Sequence, residues 1–162
     1  MHIPQARPFP NPKEIVLKVG VLLASAAVLA GVTAAIAQAD VIGQRKSVMK
    51  GVGAATRTGT QMARGDAPFD LAKAKEVFSV YEDAARKMPG LFPETSKAGG
   101  DTSAAPRIWQ DLPTFKAGFA KLEADAKHAS GAAKDLPTFR VAFGDLTKNC
   151  GACHENFRVS KN

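Results

Sequence analysis

Cys150, Cys153 and His154 are the residues whose types and spacing most directly imply chemistry, because Cys150-Gly151-Ala152-Cys153-His154 holds both cysteines of the chain and one of its three histidines. C-x-x-C-H is the pattern that attaches haem c through two thioether bonds and offers an imidazole to the iron. Two cysteines scattered at random over such a chain, with histidine following, reproduce the pattern about twice in ten thousand trials. On a helix, residues three apart share a face about 5–6 Å from each other, so both thiols reach the edge of one planar macrocycle. His154 then projects beside them toward the metal.

Three other chemistries use similar residues. A thioredoxin-like dithiol normally sits where a strand meets a helix in a βαβ unit, and no such pattern occurs here. A structural zinc site needs four ligands, and the remaining histidines are only His2 and His128. A disulfide three residues apart in a helix is strained. Haem attachment therefore leads, with these as alternatives.

The chain must supply a scaffold for that motif, and from residue 40 onward it reads as helix after helix. A first segment carries Ile42, Met49, Thr56 and Ala63 at intervals of seven, with Arg45, Val52 and Gly59 between them. Asp66-Ala67-Pro68-Phe69-Asp70 is turn chemistry and an N-cap, followed by Ala74, Val77, Phe78, Tyr81, Ala85 and Met88 until Pro89-Gly90. A long connection rich in Pro, Gly, Ser and Thr runs to Pro106, with Leu91 and Phe92 expected to turn inward. The third segment carries Leu112, Phe115, Phe119, Leu122 and Ala126. The fourth carries Phe139, Phe143, Leu146, Cys150, Cys153 and Phe157 along one seam. Asp111-Leu112-Pro113-Thr114-Phe115 and Asp135-Leu136-Pro137-Thr138-Phe139 are identical pentapeptides that read as two helix starts, aspartate capping and proline in the first turn. The expected fold is an all-α, up-down-up-down four-helix bundle over residues 40–162.

Residues 1–39 read as an export leader. Val19 to Ala37 is uncharged and apolar, Arg7, Lys13 and Lys18 precede it, and Ala37-Gln38-Ala39 is a small-x-small cleavage pattern. The rival is an uncleaved membrane anchor, since the stretch approaches the roughly 20 residues needed to span a bilayer. Removing 1–39 takes away Arg7, Lys13, Lys18 and Glu14 and leaves a formal balance of +5. Export to the periplasm agrees with haem attachment, which bacteria carry out beyond the cytoplasm. The positive balance suits acidic redox partner proteins, and no recognition motif accompanies it that would point to nucleic acid.

The iron face opposite His154 decides the function. With helices antiparallel, Met49 stands roughly 13 Å along the first helix from its start at 1.5 Å per residue, and His154 stands roughly 8–12 Å from the chain end, so the two are level. By the same count Met62 is about 20 Å too high. Met88 falls too low. Arg45 is one turn before Met49 and Arg158 one turn after His154, placing both as candidate contacts to haem propionates.

These residues resemble the cytochrome c-prime family, the class II c-type cytochromes. The likeness rests on Gln44-Arg45-Lys46-Ser47-Val48-Met49-Lys50, Gly65-Asp66-Ala67-Pro68-Phe69-Asp70, Leu91-Phe92-Pro93, Arg107-Ile108-Trp109 and Cys150 to Arg158, and it spans Arg45 to Arg158. A haem motif near the C-terminus is distinctive of that class. The resemblance implies a four-helix bundle with one covalent haem c on Cys150 and Cys153, and His154 as proximal ligand. It further implies that methionine at position 49 marks the low-spin, six-coordinate, electron-carrying branch, as against five-coordinate members that bind nitric oxide or carbon monoxide. Trp109 matches a family tryptophan and is assigned to packing. Pro113 and Pro137 depart from the family's pattern, and a homodimer is compatible with it.

The leading expectation is thus a periplasmic monohaem electron carrier with iron between His154 and Met49, and not an enzyme. The alternatives are a gas-binding five-coordinate cytochrome and a thiol-disulfide oxidoreductase using Cys150 and Cys153. Intact-mass measurement of the exported protein is expected to show a chain beginning at Asp40, and retention of Val19 to Ala37 would establish the anchor instead.

Overall fold

The computed structural model describes residues 41–159. The described residues all fall within one compact unit, Gln38–Asn162. The leader expected at 1–39 and its cleavage point lie outside the described residues. Helix α1 covers residues 41–64, α2 runs Leu71–Lys87, α3 is the single turn Arg107–Gln110, α4 runs Leu112–Ala132 and α5 runs Leu136–Phe157. The four long helices form the expected bundle.

Helix starts are set locally. Asp70 accepts the Lys73 amide at 3.0 Å, and Asp111 accepts the Thr114 amide at 3.3 Å. Asp135 accepts the Thr138 amide at 2.9 Å while its own amide donates to the Thr138 hydroxyl at 3.1 Å, a reciprocal capping box. Bonds from the Thr138 hydroxyl and amide hold the Asp135 carboxyl below its ordinary range. The repeated pentapeptide is therefore two helix caps, with proline in the first turn where a missing N–H leaves no intrahelical bond unmade.

The core consists of two clusters. The first gathers alanines and aromatics: Ala55, Ala74, Ala126, Ala129 and Ala133 around Met62, Phe78, Tyr81, Phe139, Phe143 and Leu146. The second, Ala85, Met88, Phe92, Ile108, Phe115 and Phe119, is built on edge-on rings, with Phe92 to Phe115 at 4.7 Å and Phe115 to Phe157 at 5.3 Å. On α1 the buried stripe begins at Ile42 and Arg45 but ends at Ala55, Gly59 and Met62. A straight helix drifts by about 20° per heptad, which carries Thr56 and Ala63 off the centre of the seam and brings Met62 to it.

The long second connection is more structured than a loop. It contains 3-10 turns at Met88–Leu91 and Glu94–Ser96, buries Phe92 and Ser96, and then enters α3. Its far end is laced to the end of α5: the Ala105 amide donates to the Phe157 carbonyl at 3.0 Å and the Val159 amide to the Ser103 carbonyl at 2.9 Å. Gly99 and Gly100 adopt φ of +81° and +69°, the left-handed region that favours glycine.

Helices α1 and α5 meet at Gly59, where an added Cβ would lie 2.5 Å from Phe143 Cε2. Phe143 cannot easily yield, because its ring stacks on Phe139 at 5.4 Å. Gly59→Ala is expected to lose stability, since overpacking of about 1–3 kcal/mol outweighs the roughly 1 kcal/mol that alanine adds to a helix. Gly51→Ala, with nothing within 4 Å of its new methyl, is expected to raise the urea midpoint. A Gly59→Ala protein at or above wild-type stability would show that the two helices separate readily.

Candidate haem site

The last two turns of α5 place Cys150 and Cys153 on the bundle-facing side, and each packs on a different cluster, Cys150 on the first and Cys153 on the second. Between the clusters lies a cavity of about 720 Å³, within the range of roughly 300–1,000 Å³ typical of ligand sites. Helix α5 contributes Cys150, Cys153, His154 and Phe157 to its lining, with Arg158 following. Helix α1 contributes Arg45, Met49, Val52 and Thr56, while Tyr81, Met88, Phe92, Phe115 and Phe119 form much of the rest. The structure thus brings all six sequence-predicted site residues to one cavity.

Both thiols are free and half-buried. Burial pushes the Cys150 thiol up, and burial with the neighbouring Cys150 pushes Cys153 up. A reactive dithiol needs the opposite shift. His154 is exposed at the cavity's edge, and the partial covering of its ring, with the charge of Arg158, lowers its pKa. Among the described residues no group of three or more His, Cys, Asp or Glu side chains is placed to hold a metal ion; His2 lies outside them.

Arg45 is 5% exposed, unusual for arginine. Its Nε donates to the Leu91 carbonyl at 2.5 Å and one terminal nitrogen donates to the Ser96 hydroxyl, while the guanidinium carbon lies 4.1 Å from the centre of the Phe92 ring. The other terminal nitrogen, Nη1, is buried without a partner. Desolvation lowers the Arg45 pKa. A buried cationic donor left unpaired at the wall of a cavity fits a ligand that carries carboxylates, as haem does in its propionates. Arg158 is exposed, with its backbone paired to Ala104 and its amide donating to the His154 carbonyl at 3.2 Å.

Other residues in and near the wall were read from sequence only as helix-stripe or packing positions. Met88, counted too low from sequence to be a ligand, nevertheless lines the same cavity and is buried at 4% exposure. Tyr81 is fully buried and its hydroxyl meets Thr56 Oγ1 at 2.6 Å. Thr56 in turn donates to the Val52 carbonyl at 2.7 Å, so the Tyr81 proton goes to Thr56. Trp109 packs edge-on against Phe92, and its indole N–H donates to the Phe92 carbonyl at 3.2 Å. A surface groove of about 800 Å³ between α4 and α5 has His128 as its only imidazole and no thiol.

Comparison with known proteins agrees with this geometry. The family model described as Cytochrome C' matches residues 40–158. The chain is 40% identical over 145 residues to cytochrome c' of Rhodopseudomonas palustris, covering 90% of this chain and 99% of that protein. It is 32% identical over 128 residues to cytochrome c-556 of Agrobacterium fabrum, covering 78% and 86%. The solved structure of cytochrome c' from Rhodopseudomonas palustris superposes with a TM-score of 0.73 at 42% identity, covering 76% of this chain and 98% of that one.

Thioether attachment at Cys150 and Cys153 is the expectation from sequence, and it has a direct test. The purified protein is expected to retain haem-dependent peroxidase staining after denaturing electrophoresis, and the Cys150→Ser, Cys153→Ser double variant is expected to lose it. Staining that survives in the double variant would rule out these thiols as the attachment points.

Proposed function

We propose that this chain, which belongs to the cytochrome c' family, is an exported monohaem electron carrier whose iron is held between His154 and Met49. Its cofactor is covalent haem c, which supplies a one-electron Fe(III)/Fe(II) couple. The protein's own residues hold the group and set its surroundings.

The observation that carries the reading is Met49 in the wall of the cavity that Cys150, Cys153 and His154 enter from α5. Relatives of the chain bear both names, cytochrome c' and cytochrome c-556, so the branch turns on residue 49. A thioether is a soft, neutral ligand, and His/Met ligation raises the potential of haem iron. Met88 is the rival thioether. It is 4% exposed and packed among Ala85, Phe92, Ile108, Phe115 and Phe119, where it serves as core, whereas Met49 is only half-buried and sits on the same helix as Arg45. A sixth ligand supplied by the protein would close the iron to gases and limit the geometric change between oxidation states, which suits a carrier more than an enzyme.

The expected leader, together with haem attachment outside the cytoplasm, supports a periplasmic carrier. The balance of +5 after residue 39 suits acidic redox partners through long-range steering; no recognition motif for nucleic acid accompanies it, and a homodimer is compatible with the bundle.

The reduced protein is expected to show sharp, split visible bands that carbon monoxide does not change. Met49→Leu is expected to convert it to a high-spin form that binds the gas, while Met88→Leu keeps the split bands. A wild-type protein that is broad, high-spin and gas-sensitive would establish the nitric oxide or carbon monoxide binding alternative. Split bands lost in Met88→Leu and kept in Met49→Leu would move the ligand to residue 88.

A further inference from the structure

The guanidinium of Arg45 is held at two of its three nitrogens, and the two holds differ in kind. Nε donates to a backbone carbonyl, that of Leu91, which any residue at position 91 would provide. The second hold is the side chain of Ser96, 51 positions along the chain and fully buried. A serine hydroxyl has one proton, and Ser96 donates it to the Pro93 carbonyl at 2.8 Å. Its oxygen is therefore left as an acceptor facing Arg45. A planar group bonded at two points cannot rotate about its stem, so the direction of the remaining nitrogen is set. That nitrogen, Nη1, is the buried donor without a partner, and its residue lines the cavity.

We infer that Ser96 is a positioning residue, which locks the Arg45 guanidinium so that Nη1 meets a haem propionate and thereby raises the reduction potential. The inference rests on the reading of Arg45 as a propionate contact and adds the residue that aims it. A positive charge beside the haem favours the reduced state, which carries one positive charge fewer, and pairing a propionate removes a negative charge that favours the oxidised state. Without the Ser96 oxygen, Nη2 loses its buried acceptor and the guanidinium turns to find another, so the fixed approach of Nη1 is lost. Ser96→Ala removes a single oxygen and keeps Cβ, so packing survives.

The test compares holoproteins by spectroelectrochemical titration: wild type, Ser96→Ala, Arg45→Met, the double variant, and Ser96→Thr, which keeps the hydroxyl. Arg45→Met is expected to lower the midpoint potential and Ser96→Ala to lower it by less. The double variant should match Arg45→Met alone, and Ser96→Thr should lie nearer wild type than Ser96→Ala. Visible spectra should stay the same throughout, since the axial ligands are untouched. A Ser96→Ala protein at the wild-type potential, equal shifts for Ala and Thr, or a full Ser96→Ala shift persisting in the Arg45→Met background would each overturn the positioning role and leave the Arg45 reading standing. Arg45→Met at the wild-type potential would overturn both.

Discussion

One turn of α5 has to face two hydrophobic clusters at once, and the rest of the bundle is arranged around that demand. Cys150 packs against the cluster of alanines and aromatics and Cys153 against the cluster of edge-on rings. Because the two thiols are three residues apart on one helical face, the space between the clusters opens opposite both. The cavity wall is accordingly shared between α1, the end of α2, the following turns and α4. A planar group attached to that turn would lie between the two clusters.

Apolar packing does not account for the buried charge. Arg45 at 5% exposure has left water, and an unpaired buried ion costs several kcal/mol. A carbonyl, a hydroxyl and the face of Phe92 offset part of that cost, which leaves Nη1 as the one donor still in need of an anion. The connection between α2 and α4 thus has two tasks. It covers the second cluster with Phe92 and Ile108, and it presents the acceptors that hold Arg45.

Periodicity made the long helices legible, since Phe139, Phe143 and Leu146 repeat at helical spacing and are buried as that spacing requires. The caps were legible because Asp70, Asp111 and Asp135 act on amides three residues away. The motif was legible for the same reason, its members being local. What could not be read depends on partners distant in sequence. Ser96 lies in a stretch whose composition signals only a loop, and its role appears through Arg45, 51 positions away. The turn α3 is too short to show a period and forms where Ile108 is buried and Trp109 donates across to Phe92. That Met88 also lines the cavity was not legible, because counting heights along separate helices does not show which side chains share a wall.

The two ends of the bundle are packed differently. Toward the end far from the haem motif Ala74, Ala126, Ala129 and Ala133 sit between the rings of Phe78, Phe139 and Phe143, and Gly59 lets α1 approach Phe143 so closely that no methyl fits. Small residues on facing helices let that end close upon itself. Toward the motif the wall changes to Phe92, Phe115, Phe119 and Phe157, large rings that meet edge to face. Edge-to-face contacts between these rings border a space whose lining is mostly apolar. Methionine at position 49, unbranched and adaptable, stands where the first regime gives way to the second, between Arg45 one turn earlier and Val52 and Thr56 further along. A β-branched residue there would be stiff and fill the gap. Methionine there keeps a soft donor atom in the wall of the cavity that His154 also lines.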